Sequence, residues 1–161
     1  MTDFAEVKKA VLEQDAMRLR ELASEYSLLA VTEQTPKTIK LALITYSLNK
    51  IFSKVHFQEN ANALAKEFAG KLDAEDLDGI LKSIEEFDSK HGFFEGNLVN
   101  KAKIKIGARL YSNGLSAAQS ANLVGARLAD ILSFIGETKT DVKTDARSVE
   151  ARLNAARKLF K

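Results

Sequence analysis

Apolar residues recur at three- and four-residue spacing along most of this chain, the pattern of helices that bury one face. Leu19, Leu22, Ala23, Tyr26, Leu29 and Ala30 form one such face, opened by Asp15. Asp3 with Glu6 reads as a capping pair for a short helix before it. Thr35-Pro36 is a helix start: a capping hydroxyl, then proline at the first helical position. The stretch that follows holds Ile39, Leu41, Ala42, Leu43, Ile44, Tyr46, Leu48, Ile51 and Phe52. It is apolar nearly all round and predicts the central helix of a bundle. Asn60 predicts the cap of a helix carrying Ala61, Leu64, Ala65 and Phe68, stopped by Gly70. Asp73 predicts the cap of the next, with Leu77, Ile80, Leu81, Ile84 and Phe87 on one face and His91-Gly92 at its end.

Gly92 and Gly96 mark a boundary, and a helix is expected from Asn97 to Asn113. Val99, Ala102, Ile106 and Leu110 form one stripe on it; Ile104 and Tyr111 form a second on roughly the opposite side. Lys101, Lys105 and Arg109 line the arc between. A helix apolar on two sides is suited to weld two halves together. Residues 138–147 are polar and read as a linker. Ser148 then caps a last helix with Val149, Leu153, Ala156 and Phe160 on one face, made basic by Arg152, Arg157, Lys158 and Lys161. The expected fold is all-α: an antiparallel bundle over 1–96, a helix-turn-helix unit over 97–137, and a linker with a basic helix over 138–161.

The helix-turn-helix expectation rests on the residues from Gly114 to Gly136. Ser116 and Gln119 form a capping box, the helix they open ends near Val124, and Gly125 supplies the freedom for a tight turn. Ala121, four residues before that glycine, is small enough for a second helix to cross above it. Ile131, Phe134 and Ile135 would clamp that helix down, with Leu115 and Leu123 in the same small core. This pattern is similar to the helix-turn-helix of bacterial and archaeal regulators. The run from Arg109 to Ala121 also resembles small antitoxin-type proteins, in which a leucine-tyrosine step leads through glycine and serine into an alanine-pair helix. The whole chain looks like a group of small archaeal helical proteins. The resemblance implies a DNA-binding dimer, since one such helix spans few base pairs.

The second helix departs from a DNA reader. Such a helix offers polar side chains to base edges from its first turns. Here only Arg127 and Ser133 could hydrogen-bond a base; Leu128, Ala129 and Leu132 suit a protein surface, and Asp130 repels phosphate. The unit therefore reads equally as a dimerisation or partner-docking element, with Leu128 and Leu132 as contacts.

Charge sharpens these alternatives. Residues 1–96 carry 12 Lys/Arg against 17 Asp/Glu, a net −5; residues 97–161 carry 12 against 5, a net +7. Either the C-terminal part meets a polyanion, or the two halves attract each other within a chain or across a dimer. Lys101, Lys105, Arg109, Arg147, Arg152 and Arg157 could neutralise phosphates without reading sequence, or form a solvated face.

Other chemistry is sparse. The 161 residues include no cysteine, which excludes disulfides, thiolate catalysis and cysteine-based zinc sites. His56 and His91 lack a metal-ligand spacing, and His91 reads as a helix-end residue. The acidic run from Asp73 to Gly79 is no calcium loop, because Ile84 stands where the twelfth-position glutamate belongs. Phosphate-loop and nucleophile-elbow glycine patterns are missing. Residues 1–6 do not form a signal peptide, and the apolar run 41–48 is too short to span a bilayer. The expectation is a soluble, cytoplasmic, non-catalytic protein without a cofactor. Three readings stay open: a DNA-binding regulator or antitoxin-like dimer, an RNA- or ribosome-associated factor, and a helical scaffold for an acidic partner.

Overall fold

Capping side chains open several of the helices. In the computed structural model, which describes residues 4–54, 58–92 and 97–141 (without the side chains of 58–60 and 138–141), the order is α1 (Phe4–Leu12), α2 (Ala16–Glu33), α3 (Pro36–Phe52), α4 (Gln58–Asp73), α5 (Leu77–His91), α6 (Leu98–Ser112), α7 (Ala117–Val124) and α8 (Leu128–Asp141). No strand occurs among the described residues. The Asp15 side chain accepts from the Arg18 amide at the head of α2, and Thr35 accepts from Thr38 at the head of α3, with Pro36 next in line. Ser116 and Gln119 complete a reciprocal capping box on α7. Gly92 ends α5 in the left-handed conformation at φ 64°.

Three sequence expectations about α4 and α5 are corrected. Asn60 lies inside α4 instead of capping it, Gly70 does not stop the helix, and the cap of α5 is Asp76 and not Asp73. The physical reason is that the α4 terminus uses no glycine. Glu75 takes up the left-handed turn at φ 54°, and the Asp76 amide bonds back to the Lys71 carbonyl at 2.9 Å. Gln14 and Gln34 do the same after α1 and α2, at φ 53° and 50°. A side chain in that region is strained by about 1 kcal/mol, so packing of the helices, not local preference, holds these turns. The linker expected from residue 138 begins later, because nothing between Glu137 and Asp141 breaks a helix and α8 continues through Asp141. The expected cap at Asp3, the boundary glycine Gly96, the rest of the linker and the final helix with Arg147, Arg152 and Arg157 lie outside the described residues.

α3 is the centre. Twelve of its 17 residues are buried, which is why its pattern is apolar all round. It forms a tight antiparallel hairpin with α2 across residues 34–35 and also meets α5, α6 and α7. α1 lies on α2 and α4, and α5 lies on α4. Two hydroxyls buried with α2 and α3 are returned to their own backbones, Ser27 to Ala23 at 2.6 Å and Thr45 to Leu41 at 2.7 Å, while the buried Ser47 hydroxyl of α3 has no partner among the described residues. No described helix is long and apolar enough to cross a membrane.

α6 joins everything else. Its Leu98, Val99, Ala102, Ile106 and Leu110 are buried against α2, α3 and α5, while α7 and α8 pack on another face. One hydrophobic core consequently runs from Val7 through to Ile131. Asn97 makes no capping bond to α6. The Asp88 carboxylate from α5, only 2% exposed, accepts from the Leu98 amide at 2.9 Å instead, a favourable place for negative charge at a helix start. Midway along α6, Gly107 leaves a notch that Ile131 of α8 fills. A Cβ at Gly107 would sit 2.5 Å from Ile131 Cδ1 and 3.3 Å from Val124 Cγ2.

Two glycines therefore make opposite predictions. Gly107→Ala should destabilise by about 1–3 kcal/mol through overpacking. Gly70→Ala, at an exposed position inside α4 with no atom near the added methyl, should stabilise by about 0.5–1 kcal/mol. Urea unfolding followed by circular dichroism reads both.

Candidate functional site

Residues four apart on a helix share a face, so α6 presents Lys101, Lys105 and Arg109 in one row. The α2–α3 hairpin adds Arg20 from α2 and Lys50 from α3, whose charges are felt at the same place. Between α3, α6 and α8 lies a cleft of about 360 Å³. Leu98, Ile104, Tyr46 and Phe134 make its apolar surface; Lys50, Lys101 and Lys105 make its charged rim.

The cations here have no carboxylate partner among the described residues, in contrast to several elsewhere. Lys8 pairs with Asp73 at 2.7 Å, Lys40 with Asp78 at 2.8 Å and Lys71 with Glu67 at 2.8 Å, while Arg18 gathers Glu6, Glu21 and Glu25. Around the cleft the cations rest on aromatic rings. Lys50 Nζ lies 5.6 Å from the Tyr46 ring centre, the Arg109 guanidinium 5.9 Å from the same ring, and Lys105 Nζ 5.8 Å from Phe134. Burial, then the charges of Lys105, Arg20 and Arg109, pull the Lys50 ammonium below its ordinary 10.5. Burial pushes the Tyr46 phenol up, opposed by Arg109. The Arg109 Nη1 is buried without a hydrogen-bond partner. Such an arrangement can attract and orient an anion.

The α7–α8 pair has a different surface. Gly125 turns at φ 69°, and the Ala126 amide bonds back to Ala121 at 3.0 Å, so residues 125–127 separate two distinct helices. Arg127, just before α8, is held in a two-point bond to Asp130 of that helix, at 2.9 and 3.0 Å. Asp130 thereby raises the Arg127 pKa and cancels its charge locally. Ser133 faces Glu137 at 3.4 Å. Leu128 and Leu132 are 42% and 50% exposed, the most exposed large apolar side chains described on α8.

Of the residues singled out from sequence, Lys101, Lys105 and Arg109 are thus brought together, whereas Arg127 and Ser133 do not line the cleft and are engaged along α8. Lys50, Arg20, Tyr46 and Phe134 were not recognised. Lys50 did carry a signal, as the one charge of α3 beyond its first turns and four residues after Tyr46. His91 closes α5 by its Nδ1 contact to the Phe87 carbonyl at 2.9 Å and stacks on the Phe87 ring. Among the described residues no group of three or more His, Asp or Glu could hold a metal ion.

No protein-family model matches the chain, and no curated protein or solved structure matches it either.

The depressed Lys50 has a consequence for stability. A cation whose pKa falls on folding opposes folding at neutral pH, and this opposition fades as pH rises through the folded value toward 10.5. Lys50→Met should therefore raise Tm at pH 7 by about 1–3 °C at low ionic strength. The gain should shrink in 1 M salt, where charges are screened beyond roughly 3 Å. Differential scanning calorimetry at the two salt concentrations checks this.

Proposed function

We propose that this chain is a non-catalytic, nucleic-acid-associated protein that holds phosphates with the cations of α2, α3 and α6, and that its α7–α8 helix-turn-helix docks on protein. The observation that carries the reading is the convergence of Arg20, Lys50, Lys101, Lys105 and Arg109 without carboxylate partners among the described residues. Phosphate contacts of this kind give affinity without sequence information.

A sequence-reading regulator fits less well. Its recognition helix would have to address base edges with Leu128, Ala129 and Leu132, while Arg127 would have to leave Asp130. The same exposed Leu128 and Leu132 support a protein contact, either a second copy in a homodimer or an acidic partner. The antitoxin-like and ribosome-associated readings differ in which partner that is.

Fluorescence anisotropy with labelled duplex DNA and duplex RNA of random sequence, between about 50 and 200 mM salt, tests the proposal. The expected result is binding to both, with log Kd rising linearly with log salt. Lys101→Glu with Lys105→Glu should weaken both duplexes by about tenfold or more and flatten the salt slope by about two. Arg127→Ala should leave both unchanged. Absence of binding at the lowest salt, or an affinity indifferent to the double substitution, rejects the reading.

A further inference from the structure

We infer that the cleft between α3, α6 and α8 binds a small amphipathic organic anion, a medium-length acyl or single-ring aryl body carrying one carboxylate or phosphate head. The inference goes beyond the nucleic-acid reading and stands without it, because a polyanion needs only the rim, whereas this ligand needs the apolar walls as well.

Size comes first. About 360 Å³ falls at the small end of ligand sites, which run from roughly 300 to 1,000 Å³. Such sites are largely apolar with a few converging polar groups, and this is the composition found. Leu98 and Ile104 from α6, Tyr46 from α3 and Phe134 from α8 supply the walls. Three separate helices thus build one concave surface, and the Ile131–Gly107 contact holds α8 at its place on α6.

Charge then decides the head group. Lys50, Lys101 and Lys105 stand at the rim with no carboxylate ion-paired to them among the described residues. Arg109 lies beside them over Tyr46 with a buried nitrogen that lacks an acceptor. A cationic or neutral amphiphile would leave this repulsion in place, whereas an anion relieves it. Residues 142–161 carry six Lys/Arg against two Asp/Glu, so the segment beyond Asp141 complements this rim less well than an anion does. An apolar wall also gains nothing from inorganic phosphate, so the head alone does not account for the cleft.

The test is titration calorimetry of the full chain with sodium decanoate, decyltrimethylammonium, decanol and inorganic phosphate, all below micellar concentrations. Saturable one-to-one binding of decanoate is expected, at least tenfold tighter than the other three. Lys50→Gln with Lys105→Gln, which keeps the side-chain stems, should weaken decanoate by about tenfold or more; Lys82→Gln, exposed on α5, should not. Ile104→Ser should weaken decanoate and leave phosphate unaffected. Binding of decanoate and decyltrimethylammonium alike means a tail site only and overturns the inference. So does binding of phosphate as tight as decanoate, no decanoate binding at all, or indifference to the Lys50/Lys105 pair. A chain that binds duplexes but not decanoate loses this inference and keeps the nucleic-acid reading; the opposite result does the reverse.

Discussion

Ile131 resting in the notch at Gly107 is the contact on which the C-terminal arrangement depends. It packs α8 on α6 through the Ile131 side chain, whose Cδ1 takes up the space that a Cβ at position 107 would need. Val124 of α7 meets the same point, so a single missing Cβ registers two helices at once. The other end of α6 is set independently by the buried Asp88 carboxylate, which replaces the cap that Asn97 does not provide. α6 is therefore held in place axially by α5 and laterally by α8, and the side chains it presents inherit that rigidity.

Electrostatics follow from this placement. Along α1, α4 and α5 the acidic residues find cations across helix boundaries, as in the Lys8–Asp73 and Lys40–Asp78 pairs. Exposed pairs of this type contribute little to stability individually. What they do is consume negative charge on that side of the molecule. The α3–α6 side keeps its cations without carboxylates, and the aromatic rings of Tyr46 and Phe134 take over part of the stabilisation. Lys50 bears the burden most visibly, with burial and three like charges all acting against its protonated form. Such a cluster of like charges opposes folding locally.

Much of the helical layout was legible along the chain. The Asp15 cap, the Thr35-Pro36 start, the Ser116/Gln119 box and the Gly92 and Gly125 turns are local chemistry, each decided within four or five residues. The α4 terminus misled because Glu75 carries no local mark of its left-handed turn, whereas the similar turns at Gln14 and Gln34 stand beside the legible caps Asp15 and Thr35. Gly70 misled in the other sense, as a glycine with no turn to make. The basic row of Lys101, Lys105 and Arg109 was equally legible as a four-residue repeat, but the role of Gly107 was not.

By itself, the order of amino acids determined that the chain is all-α, that α3 lies at the centre and that α6 is apolar on two sides. Those are properties of periodicity, which is local and survives any arrangement of the helices. Only the tertiary structure decided that Lys50 and Arg20 join the α6 row and that Phe134 walls a cleft with Tyr46. These depend on which faces meet. That is set by the fit of side chains into one another, such as Ile131 into Gly107, between residues far apart along the backbone.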